Sequence, residues 1–246
     1  MRWQFALLLT LAGVLGFGLV SVVAALPGTV SGLDFVRRAA DERRNGNTET
    51  VVLVNGRAIT AAELAEMEQW VNANVSWMRE AEKETTDTTQ VALLRRTREL
   101  IERSGPRTVA LARLIRDRAL ESAAIEHGVW PDEATIAERV ARDRELAEQM
   151  KDPRLDTFVT TLGPAVYWER FYPGVVAREL AQERLFEVVT GDELDLAARQ
   201  KRWLTFEREL VRAASIEVTD SEALGSASLE AAFAYLEEYW SLHSTQ

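Results

Sequence analysis

The sequence predicts a mainly α-helical protein: an N-terminal membrane helix, a linker, then a helical domain with a small β hairpin and one distant short strand. Three observations predict it. Phe5 to Leu26 carries no charge; apolar residues return every three or four positions through most of the remainder; and two short apolar arms flank Asn55-Gly56. The divisions fall at residues 1–28 (membrane anchor or signal segment), 29–50 (linker) and 51–246 (helical domain).

The uncharged stretch is 22 residues long. As a helix it spans about 33 Å, enough to cross the hydrocarbon core of a bilayer. Trp3 sits at its edge, where an indole suits the membrane interface. A signal peptide cut after Ala25 is the competing reading, since Val23 and Ala25 are small enough for a cleavage site. The run is long for a signal core, which favours an uncleaved anchor. Arg37, Arg38, Arg43 and Arg44 follow the span and, counted simply, oppose a cytoplasmic N-terminus. The short basic start before a long apolar run nevertheless reads as an export signal, which places the domain at the periplasmic or outer side of the cytoplasmic membrane. Pro27, Gly28 and Gly32, then a charged run ending in Asn45-Gly46-Asn47, give the tether that follows.

Val51-Val52-Leu53-Val54 and Arg57-Ala58-Ile59 flank Asn55-Gly56. Asn and Gly accept positive φ, so the spacing predicts a two-residue hairpin turn. Thr60 with Glu63 makes a capping box that starts a helix, whose apolar face is Leu64, Met67, Val71, Val75 and Met78. A polar break at 83–89 precedes a helix over about 90–103, which Ser104-Gly105-Pro106 ends. Residues 106–127, dense in Ala, Leu and Ile, predict the central buried helix, closed by Gly128. Pro131-Asp132-Glu133 opens another. Residues 152–163 read as a loop or weak turn. A short aromatic helix over 164–172 is expected to be cut at Pro173-Gly174, with further helices over 175–190 and about 192–212. Ile216-Glu217-Val218 predicts a strand that pairs with the hairpin as an edge. Thr219 with Glu222 reads as a second capping box, and Leu229, Phe233, Leu236 and Trp240 mark the last amphipathic helix.

Composition excludes several chemistries. There is no cysteine, so disulfides, thiol catalysis and iron–sulfur clusters are out. A net charge of −10 argues against a nucleic-acid surface. Of 29 basic residues only Lys83, Lys151 and Lys201 are lysines. An Arg surface for acidic clients is the functional reading of that bias, and the codon usage of a GC-rich genome is the bland one. His127, just before Gly128, reads as a helix C-terminal residue, and His243 as part of a frayed tail. The acid pairs Glu66/Glu68, Asp132/Glu133 and Glu237/Glu238 read as solvated faces. No metalloprotease, phosphate-loop or nucleophile-elbow motif occurs. No catalytic residue, metal or cofactor is assigned.

What remains is a set of side chains suited to binding. Tyr167, Trp168, Phe171 and Tyr172 share one side of a short helix; Trp70 and Trp77 flank the first apolar face, in which Met67 and Met78 add deformable contacts; Trp130 precedes a helix start. Aromatic and Met side chains give large, adaptable contact area, which suits a peptide client. At helical spacing the same residues also serve as core, and both readings stay open at this point.

The run Val51-Val52-Leu53-Val54-Asn55-Gly56-Arg57-Ala58-Ile59-Thr60-Ala61-Ala62-Glu63-Leu64 resembles the opening of the SurA-type chaperone domain. The long helix before Glu126-His127-Gly128-Val129 with the acidic start after Pro131, and Ile216-Glu217-Val218-Thr219 near the end, are also similar to that domain. The resemblance implies an exported folding factor of the SurA and PrsA group, which binds unfolded polypeptide through apolar clefts without nucleotide. Many members add a parvulin prolyl-isomerase module with paired histidines and several glycines. Between Pro131 and Ser215 there is no histidine, and the glycines are Gly163, Gly174 and Gly191 alone. The chain is therefore expected to lack the isomerase and not to be an enzyme. The expected partners are unfolded or extended polypeptide and the membrane, the latter through residues 5–26, with no nucleic acid. The alternative is a dedicated scaffold or assembly subunit docking one folded membrane-protein partner.

Overall fold

The hairpin forms where the Asn-Gly signal puts it. In the computed structural model, which describes residues 49–151, 159–160 and 163–244, β1 (Thr50–Val54) and β2 (Arg57–Thr60) pair antiparallel around Asn55 and Gly56. Both turn residues take positive φ, 50° and 75°, as a primed turn requires. The side chains of Ala73, Trp77, Val166, Arg170, Phe171 and Ser244 lie outside this description. So do the expected membrane segment and nearly all of the expected linker. Among the described residues no helix is long and apolar enough to cross a membrane.

A third strand, β3 (Ile216–Val218), lies antiparallel along the free side of β1, giving the order β2-β1-β3. The far-separated edge strand is as expected. Asn55 fastens it: its N–H donates to the Ser215 carbonyl at 2.8 Å, and its Oδ1 accepts from the Ser215 N–H at 2.9 Å. Val51, Val52 and Val54 of the central strand are fully buried.

Seven helices of sixteen residues or more make up most of the described residues. They are α1 (Ala61–Glu84), α2 (Thr88–Ser104), α3 (Pro106–Glu126), α4 (Glu133–Met150), α6 (Tyr172–Thr190), α7 (Leu196–Ala213) and α8 (Leu229–Ser244). A three-residue α5 (Pro164–Val166) leads into α6 through a π-helical stretch, Tyr167–Phe171. Thr60 caps α1 with the expected reciprocal pair: its hydroxyl accepts from the Glu63 N–H, and Glu63 accepts from the Thr60 N–H at 3.0 Å. Asp87, Asp132 and Asp195 cap α2, α4 and α7 with their carboxylates.

α3 is the central helix. Val109, Leu111, Leu114, Ile115 and Leu120 are buried, and so are Ala110, Ala112, Ala119, Ala123 and Ala124. A helix with buried residues on every side must be packed on every side. Here α1, α6, α7 and α8 each lie against it, and the alanines let their backbones approach closely. Arginine ties the periphery to this frame. Arg107 donates to the carbonyls of Leu224 (2.8 Å) and Ala223 (2.6 Å) and meets Glu68 at 2.6 Å. Arg118 donates to the Ala58 carbonyl at 3.0 Å and pairs with Glu121 and Glu63. Several acids read as solvated faces are therefore partners. Glu68 holds Arg107, Glu237 holds Arg208 and Arg212, and Glu238 holds Arg103.

Four expectations are corrected. The chain is not cut at Pro173-Gly174: α6 runs through both residues. The π turn just before them is wider than an α turn. It spares Pro173 the clash with the carbonyl four residues back that would otherwise break the helix. α7 starts at Leu196 rather than Asp192, because the Asp195 carboxylate accepts from the Ala198 N–H at 2.8 Å and fixes the start there. Thr219 caps no helix. Its hydroxyl donates to the Thr50 carbonyl, Asp220 instead caps a run of turns, and Ser228 accepts from the Ala231 N–H at the start of α8. His243 is not in a loose tail. It is buried at the end of α8, with its ring 4.4 Å from that of Tyr239.

Gly191, which follows α6, is fixed by close approach. A β-carbon there would stand 2.5 Å from the Glu187 carbonyl oxygen, an atom of the helix backbone. Gly191→Ala is expected to cost about 1–3 kcal/mol through this overlap. Urea unfolding of the variant checks it, and an unchanged midpoint would contradict the close packing at the α6–α7 turn.

Candidate functional site

The second half of the chain builds a groove. α4 has no fully buried residue. It rests on the π stretch and α6 along a single stripe, with Ile136, Val140 and Ala147 meeting Tyr167, Trp168, Tyr172, Val175 and Val176. Asp132 sets the start of α4 by accepting from the Thr135 N–H (2.8 Å) and hydroxyl (3.1 Å). Those bonds hold its carboxyl below the usual range. Further along, the Tyr172 hydroxyl donates to Asp143 at 2.9 Å, and Asp143 also pairs with Arg139 at 3.1 Å. Burial, then the nearby Asp143, pushes the Tyr172 phenol well above its ordinary value; burial, then Glu179, does the same at Tyr167. Both phenols are thereby held neutral, and the Tyr172 hydroxyl serves as a hydrogen-bond donor to Asp143.

Beside that stripe the two walls part and leave a groove of about 700 Å³. Ligand pockets commonly measure roughly 300–1,000 Å³. One wall is the Ile136, Ala137, Val140 and Ala141 side of α4; the other is Trp168, Pro173, Gly174 and Ala177. The walls stand apart where Ala137, Ala141, Gly174 and Ala177 are small. Gly174 presents no side chain at all, although a β-carbon there would meet nothing closer than Arg178 at 3.9 Å. The rim is charged: Glu133, Glu145 and Glu148 on one side and Glu169 on the other, with Arg144 paired to Glu148 at 3.4 Å.

The expected binding residues are divided by the fold. Tyr167, Trp168 and Tyr172 come together, with ring centroids 4.7–5.4 Å apart, and are largely buried. Of these, Trp168 lines the groove. Trp70 packs beside the main core with the Arg113 guanidinium 4.7 Å over its ring, and Met78 is buried in that core. Trp130 packs on a third cluster with Leu120, Leu185 and Trp203. The backbones of Trp77 and Phe171 lie in α1 and the π stretch, but their side chains lie outside the described residues. The sequence reading missed the alanines at 137, 141 and 177 and the Pro173-Gly174 pair as groove-forming residues. The available signal was the 136/137/140/141 spacing, which puts small and branched apolar residues on one stripe of α4.

A second polar centre lies where α3, α7 and α8 meet. Glu207 lies 3.8 Å from Arg116 and accepts from the Trp240 indole N–H at 3.3 Å. Asp117 is 3.9 Å from Arg116. Neither ring nitrogen of His243 has a hydrogen-bond partner among the described residues. Burial, reinforced by the Arg116 charge, pushes the His243 imidazole down to about 4. The members of this centre are too buried to offer a substrate an approach, so its charges serve the fold. His127, in contrast, is exposed at the α3 C-terminus as the sequence suggested. Among the described residues no three His, Asp or Glu side chains converge as a metal site requires. The chain matches no family model, no curated protein and no solved structure.

Proposed function

We propose that this chain is a membrane-tethered, exported, chaperone-like protein that binds apolar stretches of unfolded or extended polypeptide and carries no isomerase activity. The observation that carries the proposal is the apolar groove walled on one side by α4, a helix held along one stripe only. Burying a client Leu or Phe side chain there contributes about 1.5–3 kcal/mol. Two or three such contacts, less the cost of ordering the client, give weak and reversible capture. Release then needs no nucleotide. The uncharged stretch 5–26 supports the tether and the export route. The likeness of residues 51–64 to the SurA-type opening supports the folding-factor class.

The groove is tested through α4, because Trp168 also belongs to the packed stripe and its loss would disturb the fold. Ala137 and Ala141 are exposed helix positions that face the groove. The full chain in mild detergent is expected to suppress aggregation of several unrelated denatured proteins at a few-fold excess. The Ala137→Trp/Ala141→Trp variant, with an unchanged circular dichroism spectrum, is expected to lose most of that effect. No suppression by the unaltered protein would sink the general-chaperone reading.

The scaffold reading has one observation in its favour. Val188, Leu194 and Leu196 are 54%, 97% and 59% exposed around the α6–α7 turn, an apolar tip suited to one folded partner. Crosslinking in the native membrane separates the two, since a scaffold yields one dominant product and a holdase many.

A further inference from the structure

The rim of the groove specifies more about its occupant than the floor does. We infer that the groove selects apolar peptide segments flanked by Lys or Arg, an inference that rests on the peptide-binding reading just given. The floor is apolar and carries no selectivity beyond size. The rim is acidic at both ends and on both walls. Glu133 stands at the start of α4, Glu145 and Glu148 lie three to four turns on, and Glu169 projects from the π stretch opposite. Arg144, the one basic residue among the described lining residues, is paired to Glu148. Glu145 accepts from Gln149 at 3.1 Å, a neutral contact that leaves its charge in place.

Geometry fixes the size of the occupant. From Glu133 to Glu148 the wall advances about 22 Å along the helix. An extended peptide covers that distance in roughly six or seven residues. A client with a short apolar centre and a cation at each end therefore sets its apolar side chains on Ile136, Val140 and Trp168, and its cations against the rim acids. The net charge of −10 on the whole chain reinforces the choice by drawing basic segments in and opposing self-association. The same acids oppose an anionic lipid headgroup. A second copy of this chain and a lipid surface are thus the disfavoured occupants.

The test uses the full chain in detergent and three peptides carrying a neutral dye. All three share one six-residue apolar centre, flanked by paired Lys, paired Ser or paired Glu. Exposed charge contacts are individually worth little, but three or four together give a resolvable difference. The Lys-flanked peptide is expected to bind about tenfold tighter than the Ser-flanked one, with the Glu-flanked peptide weakest. The gap is expected to shrink at high salt and in the Glu133→Gln/Glu145→Gln/Glu169→Gln variant. Equal binding of all three peptides, abolished by Ala137→Trp/Ala141→Trp, would overturn the charge selection and leave the groove reading standing. Absence of binding, or binding untouched by the groove-filling variant, would overturn both. Tighter binding to anionic vesicles than to the Lys-flanked peptide, or loss of peptide binding on self-association, would assign the groove to a lipid or a second copy and overturn the inference.

Discussion

Glu207→Ala is expected to lower the stability of the folded domain by about 3–5 kcal/mol, the range for removing one partner of a buried ion pair. Glu207 is 3% exposed and Arg116 9% exposed. Burial alone favours loss of the Arg116 proton, yet Glu207 and Asp117 more than offset it and hold the guanidinium firmly charged. The charge therefore stays when Glu207 goes, with only Asp117 at 3.9 Å to answer it. The Arg116 Nε has no hydrogen-bond partner among the described residues, so the attraction across 3.8 Å is almost wholly coulombic. Glu207→Gln keeps an acceptor for the Trp240 indole and removes only the charge, so it should recover a minor part of the loss. Arg116→Met combined with Glu207→Ala should recover more, because the buried guanidinium leaves with its main partner and only the partly exposed Asp117 carboxylate stays behind. Urea unfolding of the set decides it. Losses below about 1 kcal/mol for both single Glu207 variants would mean that water reaches this centre and screens the pair.

Acid should destabilise the protein well before its carboxylates titrate, and His243 is the reason. Its imidazole is held down to about 4, against 6.5 when exposed. Between those values the unfolded chain binds a proton that the folded chain refuses, so stability rises with pH across the window. The contribution is intact above pH 6.5, declines as the pH falls, and is lost in full near pH 4. A separation of this size corresponds to about 3 kcal/mol. Asp132, Asp192 and Glu82 also have lowered carboxyl values, but they start from 3.8 or 4.5 and act at the acid end of the window or below it. His243→Phe is the control, since a ring of similar shape keeps the Tyr239 contact and cannot protonate. Its stability should match the parent at pH 7.5 or exceed it slightly, because two unpartnered ring nitrogens leave the interior. It should flatten the pH 6.5-to-4 slope. Parallel slopes for parent and variant would show that His243 protonates without cost in the fold.

How much of this was legible in the sequence differs by region, for physical reasons. The hairpin, the Thr60 cap, the central helix and the Leu229–Trp240 face could all be read, because each is set by residues within a turn or two of one another. The pairing of β3 with β1 could be anticipated because a lone hairpin needs another strand to be stable. The continuous α6 could not, since Pro173-Gly174 is a strong breaker and only the preceding π turn makes it harmless. Thr219 misled because its capping-box spacing was correct while its hydroxyl was taken by the Thr50 carbonyl, a partner 169 positions away. The groove was half legible. Its aromatic wall was marked at Trp168, but its shape comes from small residues, and an alanine carries no sign of the space beside it.

The placement of β1 between β2 and β3 has a consequence for biogenesis. Val52 pairs with Ile59 on one side and with Val218 on the other. During synthesis from the N-terminus the chain therefore presents β1 about 160 residues before its second neighbour arrives. During that interval one edge of an apolar strand, Val51-Val52-Leu53-Val54, stands open. Closing it is a late, long-range step of the kind that slows folding. The nascent chain thus passes through the same exposed condition as the polypeptides this protein is proposed to bind.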